Sequence, residues 1–337
     1  MKKILLLLGL ILFIESIGSL LFGQYVISFD DFLHVIEKSF VSDQSEFTEK
    51  YALIYSIILD IRLPRILAAI LIGASYAVAG ASYQAMFINP LVSPGILGVL
   101  SGAAFGAALG ISFFDTWIAT QFFSFFFGII AVAFAIFITY IYKSRGNMTL
   151  ILILGGIISG SFFSTLLSIV KYTSDPYDKL PSIVYWLMGS LASVELHEIT
   201  VYACPIIFGI LGLLLMSKYL NVLSFGEEEA RSLGVNIKLV RFFVIFFATL
   251  ISALSVAIGG MIGWIGLIVP HFARFIVGPN NRILIPTVAF MGSIFLLLAD
   301  NFARLLFEVE IPIGILTSLV GIPIFIIVLK NSKKGLH

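Results

Sequence analysis

Charge is scarce in this chain: Asp, Glu, Lys and Arg make up only 12% of its 337 residues, against 60% hydrophobic residues. A soluble domain carries about a quarter charged residues, because its surface must face water. That deficit, with a mean hydropathy of +1.09, excludes a water-soluble globule and defines a polytopic membrane protein. Cysteine is scarcer still. The single Cys204 lies in an apolar run, which excludes a disulfide framework and a thiolate metal cluster and reads as a small buried side chain. The net charge of +1, with basic residues scattered along the chain, gives no nucleic-acid-binding patch.

Catalytic and nucleotide-binding patterns are missing too. No Gly-x-x-x-x-Gly-Lys-Ser/Thr loop occurs, so no nucleotide or other cofactor is expected on this chain and ATP would be handled by a partner. His34, His197, His271 and His337 are too dispersed for a metal site. Glu15 is the one clear carboxylate inside a predicted span, too little for the acidic relay of an ion-coupled transporter.

What is present is a series of apolar stretches. Hydropathy places spans near 4–23, 64–88, 95–111, 118–141, 148–170, 199–217, 239–258, 262–277, 283–300 and 312–330, each long enough or nearly so to cross. The basic start and apolar run of MKKILLLLGLILFIESIGSLLFG are those of a signal peptide, but about 20 apolar residues suffice to span, so this is read as an uncleaved first helix. The expected fold is all-α, one transmembrane domain over 1–337 with about ten helices and both termini on one side. Lys and Arg choose that side, because they are retained in the cytoplasm. Lys2, Lys3, Lys143, Arg145, Lys218, Arg231, Lys238, Arg241, Arg274, Arg282, Lys330, Lys333 and Lys334 fall together on or near the amino-terminal face, which predicts cytoplasmic termini.

Two groups break the charge rule. Arg62 and Arg65 fall outside, at the start of a helix that Pro64 is suited to open. Their three-residue spacing puts both guanidinium groups on one face, aimed at the outer surface. Arg304, in LADNFARLLFEVE, should reach the same surface, with Asp300 one turn earlier as a partner. Snorkelling anchors at the headgroups are one reading. A docking rim is preferred, since anchors are more naturally Trp, Tyr or inside-facing Lys.

The inner exception is a coupling-type segment, about 220–238, in LNVLSFGEEEARSLGVNIKLVR. Ser224 and Glu227 have capping-box spacing, Glu227, Glu228 and Glu229 lie in the first turn where the helix dipole favours them, and Gly234 can close the helix. A short rigid polar helix is expected, which a partner could push.

Small residues offer candidate lumen or packing positions: Gly155, Ser159 and Gly160 among the glycines and hydroxyls of LGGIISGSFFSTLLS, and Gly314, Thr317 and Ser318 in the last span. Close packing and pathway lining both remain open for them. GGMIGWIGLIVPHFARFIVGPNN, with five glycines and Pro270, predicts a broken or re-entrant helix in which His271 caps or hydrogen-bonds. IRLPR at 61–65 and IKLVR at 237–241 open long spans from opposite sides, as in an inverted repeat.

The motifs taken together carry a resemblance. RLPR followed by a Gly/Ala-rich helix, NPLVSPGILGVLSGAA at 89–104, YWLMGSL at 185–191, LSFGEEEARSLGVN at 223–236, GWIGLIVPHFAR at 263–274, LLADNFAR at 297–304 and IPIGILTSLVGIPIFI near the end occur in the order seen in the FecCD permeases. That family comprises the permease subunits of binding-protein-dependent ABC importers for iron-siderophore complexes, haem and vitamin B12. Met261 stands where many relatives carry proline.

The resemblance implies a ten-helix, BtuC-like subunit in the cell membrane that pairs with a second, identical or paralogous permease. Two cytoplasmic ABC ATPases would lie beneath it and a substrate-binding protein above. It assigns binding-protein docking to Arg62, Arg65 and Arg304, and ATPase coupling to Ser224, Gly226, Glu227, Glu228, Glu229, Arg231 and Gly234. The chain would be no enzyme. Its expected cargo is a ferric siderophore, with haem or cobalamin as alternatives. A secondary transporter is more remote, and an intramembrane enzyme lacks a nucleophile-base pair.

Overall fold

The computed structural model describes residues 2–41, 49–114, 116–142, 148–306 and 309–332. Lys143, Arg145, Lys333, Lys334 and His337 lie outside the described residues. All regular structure in the described residues is helical: α1 (Lys2–Leu21), α2 (Phe29–Val41), α3 (Glu49–Ser56), α4 (Leu63–Met86), α5 (Val99–Phe114), α6 (Trp117–Tyr142), α7 (Met148–Thr173), α8 (Lys179–Met188), α9 (Leu196–Leu223), α10 (Glu227–Ser232), α11 (Ile237–Gly259), α12 (Ile265–Val277), α13 (Asn281–Leu305) and α14 (Ile313–Ser332).

Each of the ten expected spans coincides with a helix. Six of them, α1, α6, α7, α9, α11 and α13, are long and apolar enough to cross a membrane by length and composition. At 24 residues α4 reaches about 36 Å, also sufficient for a hydrocarbon core of about 30 Å. The 16 residues of α5 and 13 of α12 fall short. Each is preceded by irregular backbone, the 3₁₀ turn Pro94–Leu97 before α5 and residues 260–264 before α12, and such backbone is tolerated at membrane depth where protein covers it. The break before α12 is the one expected from the glycines: Gly260 and Trp264 take left-handed φ of 69° and 71°.

Which helices form the core is decided by residue size. Lipid is as apolar as leucine, so hydrophobicity alone pulls no helix inward, and close backbone approach does. α4, rich in Ala and Gly, is buried along nearly its whole length. The apolar stretch of α11 is 78% buried inside the chain, whereas that of the leucine-rich α1 is 6% buried. α4 and α11 pack together at the centre, with α9, α12 and α13 around α4 and the α5–α6–α7 group against α11. Gly73 and Gly292 set the α4–α13 spacing: a Cβ on either would sit 2.2 Å from the other's carbonyl oxygen.

Several elements differ from expectation. α3 runs through a π-helical turn, Ile57–Arg62, directly into α4, and Arg62 already has helical φ and ψ. Arg62 and Arg65 therefore lie within a continuous helix and not at its exposed start. α2, α3 and α8 were not anticipated, being short or only moderately apolar. Lys50 Nζ bridges both carboxylate oxygens of Asp31 at 2.8 and 3.0 Å, tying α3 to α2 and holding the Asp31 carboxyl below its usual range. Cys204, expected to be buried, is exposed on α9, because the flank of an outer span can face lipid.

Candidate functional site

Two ionic clusters occupy opposite ends of α4. Arg65 lies in its first turn, while Met86, Phe87 and Ile88 at its other end line a cavity shared with Glu227 and Arg241. From Arg65 to Met86 the helix advances about 32 Å, close to the thickness of a bilayer core.

At the first end, Arg65 Nε donates to Asp300 Oδ1 at 2.7 Å, and its two terminal nitrogens engage both oxygens of Glu310, one at 3.0 Å. Arg304, one turn after Asp300 on α13, brings its Nε to 3.2 Å from Asp300 Oδ2, at ion-pair distance without hydrogen-bond geometry. Its Nη2 donates to Ser19 Oγ at 2.8 Å and to Asn301 Oδ1. Arg62 donates to the carbonyls of Leu20, at 2.5 Å, and Tyr25.

Asp300 is fully buried and the Arg65 side chain is 5% exposed, while Glu310 retains 28% exposure. The expectation that Arg62 and Arg65 aim outward is thus corrected. They are buried because carboxylates and carbonyls distant in sequence satisfy them, as a buried charge requires. The cluster joins α1, α4, α13 and the segment before α14. Among the described residues it contains three guanidinium groups and two carboxylates.

At the second end, Arg241 near the start of α11 donates through Nη2 to Glu227 Oε1 and, at 2.5 Å, to Thr149 Oγ1 on α7. Thr149 Oγ1 also lies 3.3 Å from Glu227 Oε1. Arg231 approaches Glu227 Oε2 at 3.6 Å. Glu227 therefore faces inward, tying α10 to α7 and α11, while Glu228, Glu229 and Arg231 are exposed. Phe225 and Leu233, 71% and 66% exposed, flank α10 on either side, and Ala230 is the buried residue within it.

The expected capping box is absent. Ser224 is the C-cap of α9, where its hydroxyl donates to the Asn221 carbonyl at 2.6 Å, and the N-cap of α10 is Gly226, with φ of 110°. A true capping box stands at the start of α9, between Glu195 and Glu198. Gly234 ends α10 as expected: its φ is 78°, its N–H donates to Arg231 O at 2.9 Å, and Val235 N–H donates to Ala230 O at 3.0 Å, which is a Schellman pattern.

The small residues divide by face. A Cβ on Gly155 would lie 2.7 Å from Ala135 O, and Gly160 lies beside Gly98. Ser159 Oγ donates to Ala131 O at 2.6 Å. On α14, a Cβ on Gly314 would lie 2.3 Å from Met188 O, and Thr317 and Ser318 donate to Gly314 O at 3.2 and 2.7 Å. Gly155, Ser159, Gly160 and Gly314 thus meet neighbouring segments of the same subunit, while Thr317 and Ser318 bond back to their own helix. The exposed face of α7 instead carries Ser161, Ser164, Thr165 and Ser168, at i, i+3, i+4 and i+7. That periodicity was legible in the sequence but was blurred by Gly155, Gly156 and Ser159, which belong to the opposite face. His271 lies on α12, and its Nε2 is buried without a hydrogen-bond partner among the described residues, so the expected local bond is not seen at that nitrogen.

A bundle of apolar helices with a polar stripe on one outer face, ionic clusters a bilayer apart and a short helix projecting from one end is the build of a membrane transport subunit. The chain belongs to the FecCD transport family, whose model matches residues 8–331. The molybdate import system permease protein MolB of Haemophilus influenzae is 40% identical over 335 residues, which cover 99% of this chain and 97% of that protein. A Helicobacter pylori protein named as a probable iron chelatin transport system permease is 35% identical over 320 residues, 95% of this chain and 96% of that one.

A solved inward-facing structure of a metal-chelate type ABC transporter matches with a TM-score of 0.86 and 39% identity, covering 98% of this chain and all of that chain. This protein is a polytopic ABC importer permease of the cell membrane. Subunits of this kind are not themselves enzymes and work with a partner permease, ATPases and a substrate-binding protein.

Proposed function

We propose that this permease carries a ferric siderophore into the cytoplasm by ATP-driven alternating access between two permease copies. The observation that carries the mechanistic part is the pair of ionic clusters about 32 Å apart along α4, one of buried arginines and carboxylates joining α1, α4 and α13, the other bracing α10. The α10 end is assigned to the cytoplasm and the Arg65 end to the exterior. Supporting this, Lys218, Arg231, Lys238, Arg241, Arg274 and Arg282 gather at the α10 end. Both termini are then cytoplasmic.

In this reading the binding protein docks at the outer end through acidic groups. Arg62, Arg65 and Arg304 shape and polarise that surface from beneath, and the partly exposed Glu310 stands at its edge. The ATPases receive α10, with Phe225 and Leu233 as apolar contacts and Glu228 and Glu229 as polar ones. Glu227, Arg241 and Thr149 pass displacement of α10 to α7, whose hydroxyl stripe lines the path between the two copies. Hydroxyls without charge suit a lumen that releases a cargo already selected by another protein. ATP is bound by the ATPases, and no cofactor resides on this chain.

The relative that imports molybdate, 40% identical over nearly the whole chain, favours a second reading in which the cargo is molybdate; haem and cobalamin remain as alternatives within the family. The deciding experiment reconstitutes the permease with its ATPases and binding protein in proteoliposomes and supplies radiolabelled ferric siderophore, molybdate, haem or cobalamin. ATP-dependent uptake of the ferric siderophore is expected. Uptake of another of these cargoes replaces the substrate assignment, and uptake unaffected by loss of ATP hydrolysis overturns the mechanism.

A further inference from the structure

A groove on the outer flank of the subunit shares Arg241 with the brace behind α10 but is otherwise separate from the residues assigned to docking and passage. It lies where α6, α7 and α11 meet and encloses about 340 Å³. Its walls include Ile136, Leu152, Phe246 and Leu250, and its basic residues, Lys238 and Arg241, both lie near the start of α11. Phe242 and Phe246 stack along the wall with ring centroids 6.3 Å apart.

Charge and length identify the occupant. Lys238 is exposed, whereas Arg241 is committed to Glu227 and Thr149, so among the described residues lining the groove Lys238 is the available cation at its mouth. From Lys238 to Leu250, α11 advances 12 residues, about 18 Å, close to the ~15 Å depth of one bilayer leaflet. The groove thus has a cationic end at the interface and an apolar end near the midplane. That polarity matches a single phospholipid, and the sign of the headgroup end favours an anionic one.

We propose that this groove is a binding site for an anionic phospholipid, its phosphate beside Lys238 and an acyl chain along Phe242, Phe246 and Leu250. Because Arg241 lines the same groove while holding Glu227, a lipid seated there borders the brace behind α10. The proposal does not depend on which cargo is carried or which end faces the cytoplasm.

The test places a Phe246→Trp reporter in the full chain, reconstituted in phosphatidylcholine nanodiscs, with the fluorescence of the unsubstituted protein subtracted to remove Trp117, Trp186 and Trp264. Brominated phosphatidylglycerol and brominated phosphatidylcholine are compared as quenchers at low mole fraction. Phosphatidylglycerol should quench at least fivefold more effectively. Lys238→Glu should abolish the preference while leaving quenching by phosphatidylcholine, which shows the variant folded. Lys218→Glu, which removes an exposed lysine at the same end of the bundle but outside the groove, should retain it. Equal quenching by the two lipids means an ordinary lipid boundary and overturns the proposal, as does a preference that survives Lys238→Glu.

Discussion

Arg65 and Asp300 are 235 positions apart in the chain and 2.7 Å apart in space, both buried, with Arg304 on the second oxygen of the same carboxylate. Asp300→Asn removes the charge that two buried guanidinium groups share. Uncompensated buried charge costs about 3–5 kcal/mol, so this variant should show a strongly lowered unfolding midpoint in detergent. Glu310→Gln, at a partly exposed partner, should cost about 1 kcal/mol or less. Equal midpoints for the two variants would show that the cluster does not brace the fold. For the same reason Arg65→Glu should fail to accumulate as folded protein, so docking is better probed by reversing Glu310.

Glu227 and its neighbours should separate by function. Glu227→Gln weakens one charge-assisted contact to Arg241, worth about 1.5–3 kcal/mol, and should lower transport per ATP hydrolysed about tenfold while the ATPases still co-purify. Glu228→Lys with Glu229→Lys, on the exposed face, should instead weaken that co-purification. If Glu227→Gln transports at the wild-type ratio, the brace between α10 and α7 is not the route of coupling.

The two faces of α7 can be distinguished by thiol labelling in a Cys204→Ser background. Thr165→Cys, on the exposed hydroxyl face, should react with a membrane-impermeant reagent in the assembled transporter. Ser159→Cys, packed against Ala131, should not. Protection of Thr165→Cys together with reaction of Ser159→Cys would reverse the assignment of the path.

Gly73→Ala places a methyl 2.2 Å from the Gly292 carbonyl oxygen, where backbone cannot yield cheaply. Forcing α4 and α13 apart should cost about 1–3 kcal/mol, read as a lowered unfolding midpoint by fluorescence-detected size exclusion. Gly18→Ala on α1, with open space around it, is the matching control and should leave the midpoint unchanged.

By itself the sequence determined where the spans lie, that α10 would be a short acidic helix closed by Gly234, that the chain breaks between α11 and α12, and which family it belongs to. These properties depend on local composition, on backbone conformations open to glycine, and on ordered motifs. Only the tertiary structure decided which faces meet. The apolar side of a membrane helix looks the same whether lipid or another helix covers it, so hydropathy could not say that α4 and α11 are central and α1 peripheral. Nor could it separate Ser159, which packs, from Ser161, which does not. The arginines show the limit most clearly: RLPR marks Arg62 and Arg65 as unusual, but whether they reach out or are held inward is settled by Asp300, Glu310 and the carbonyls of Leu20 and Tyr25, which only folding brings to them.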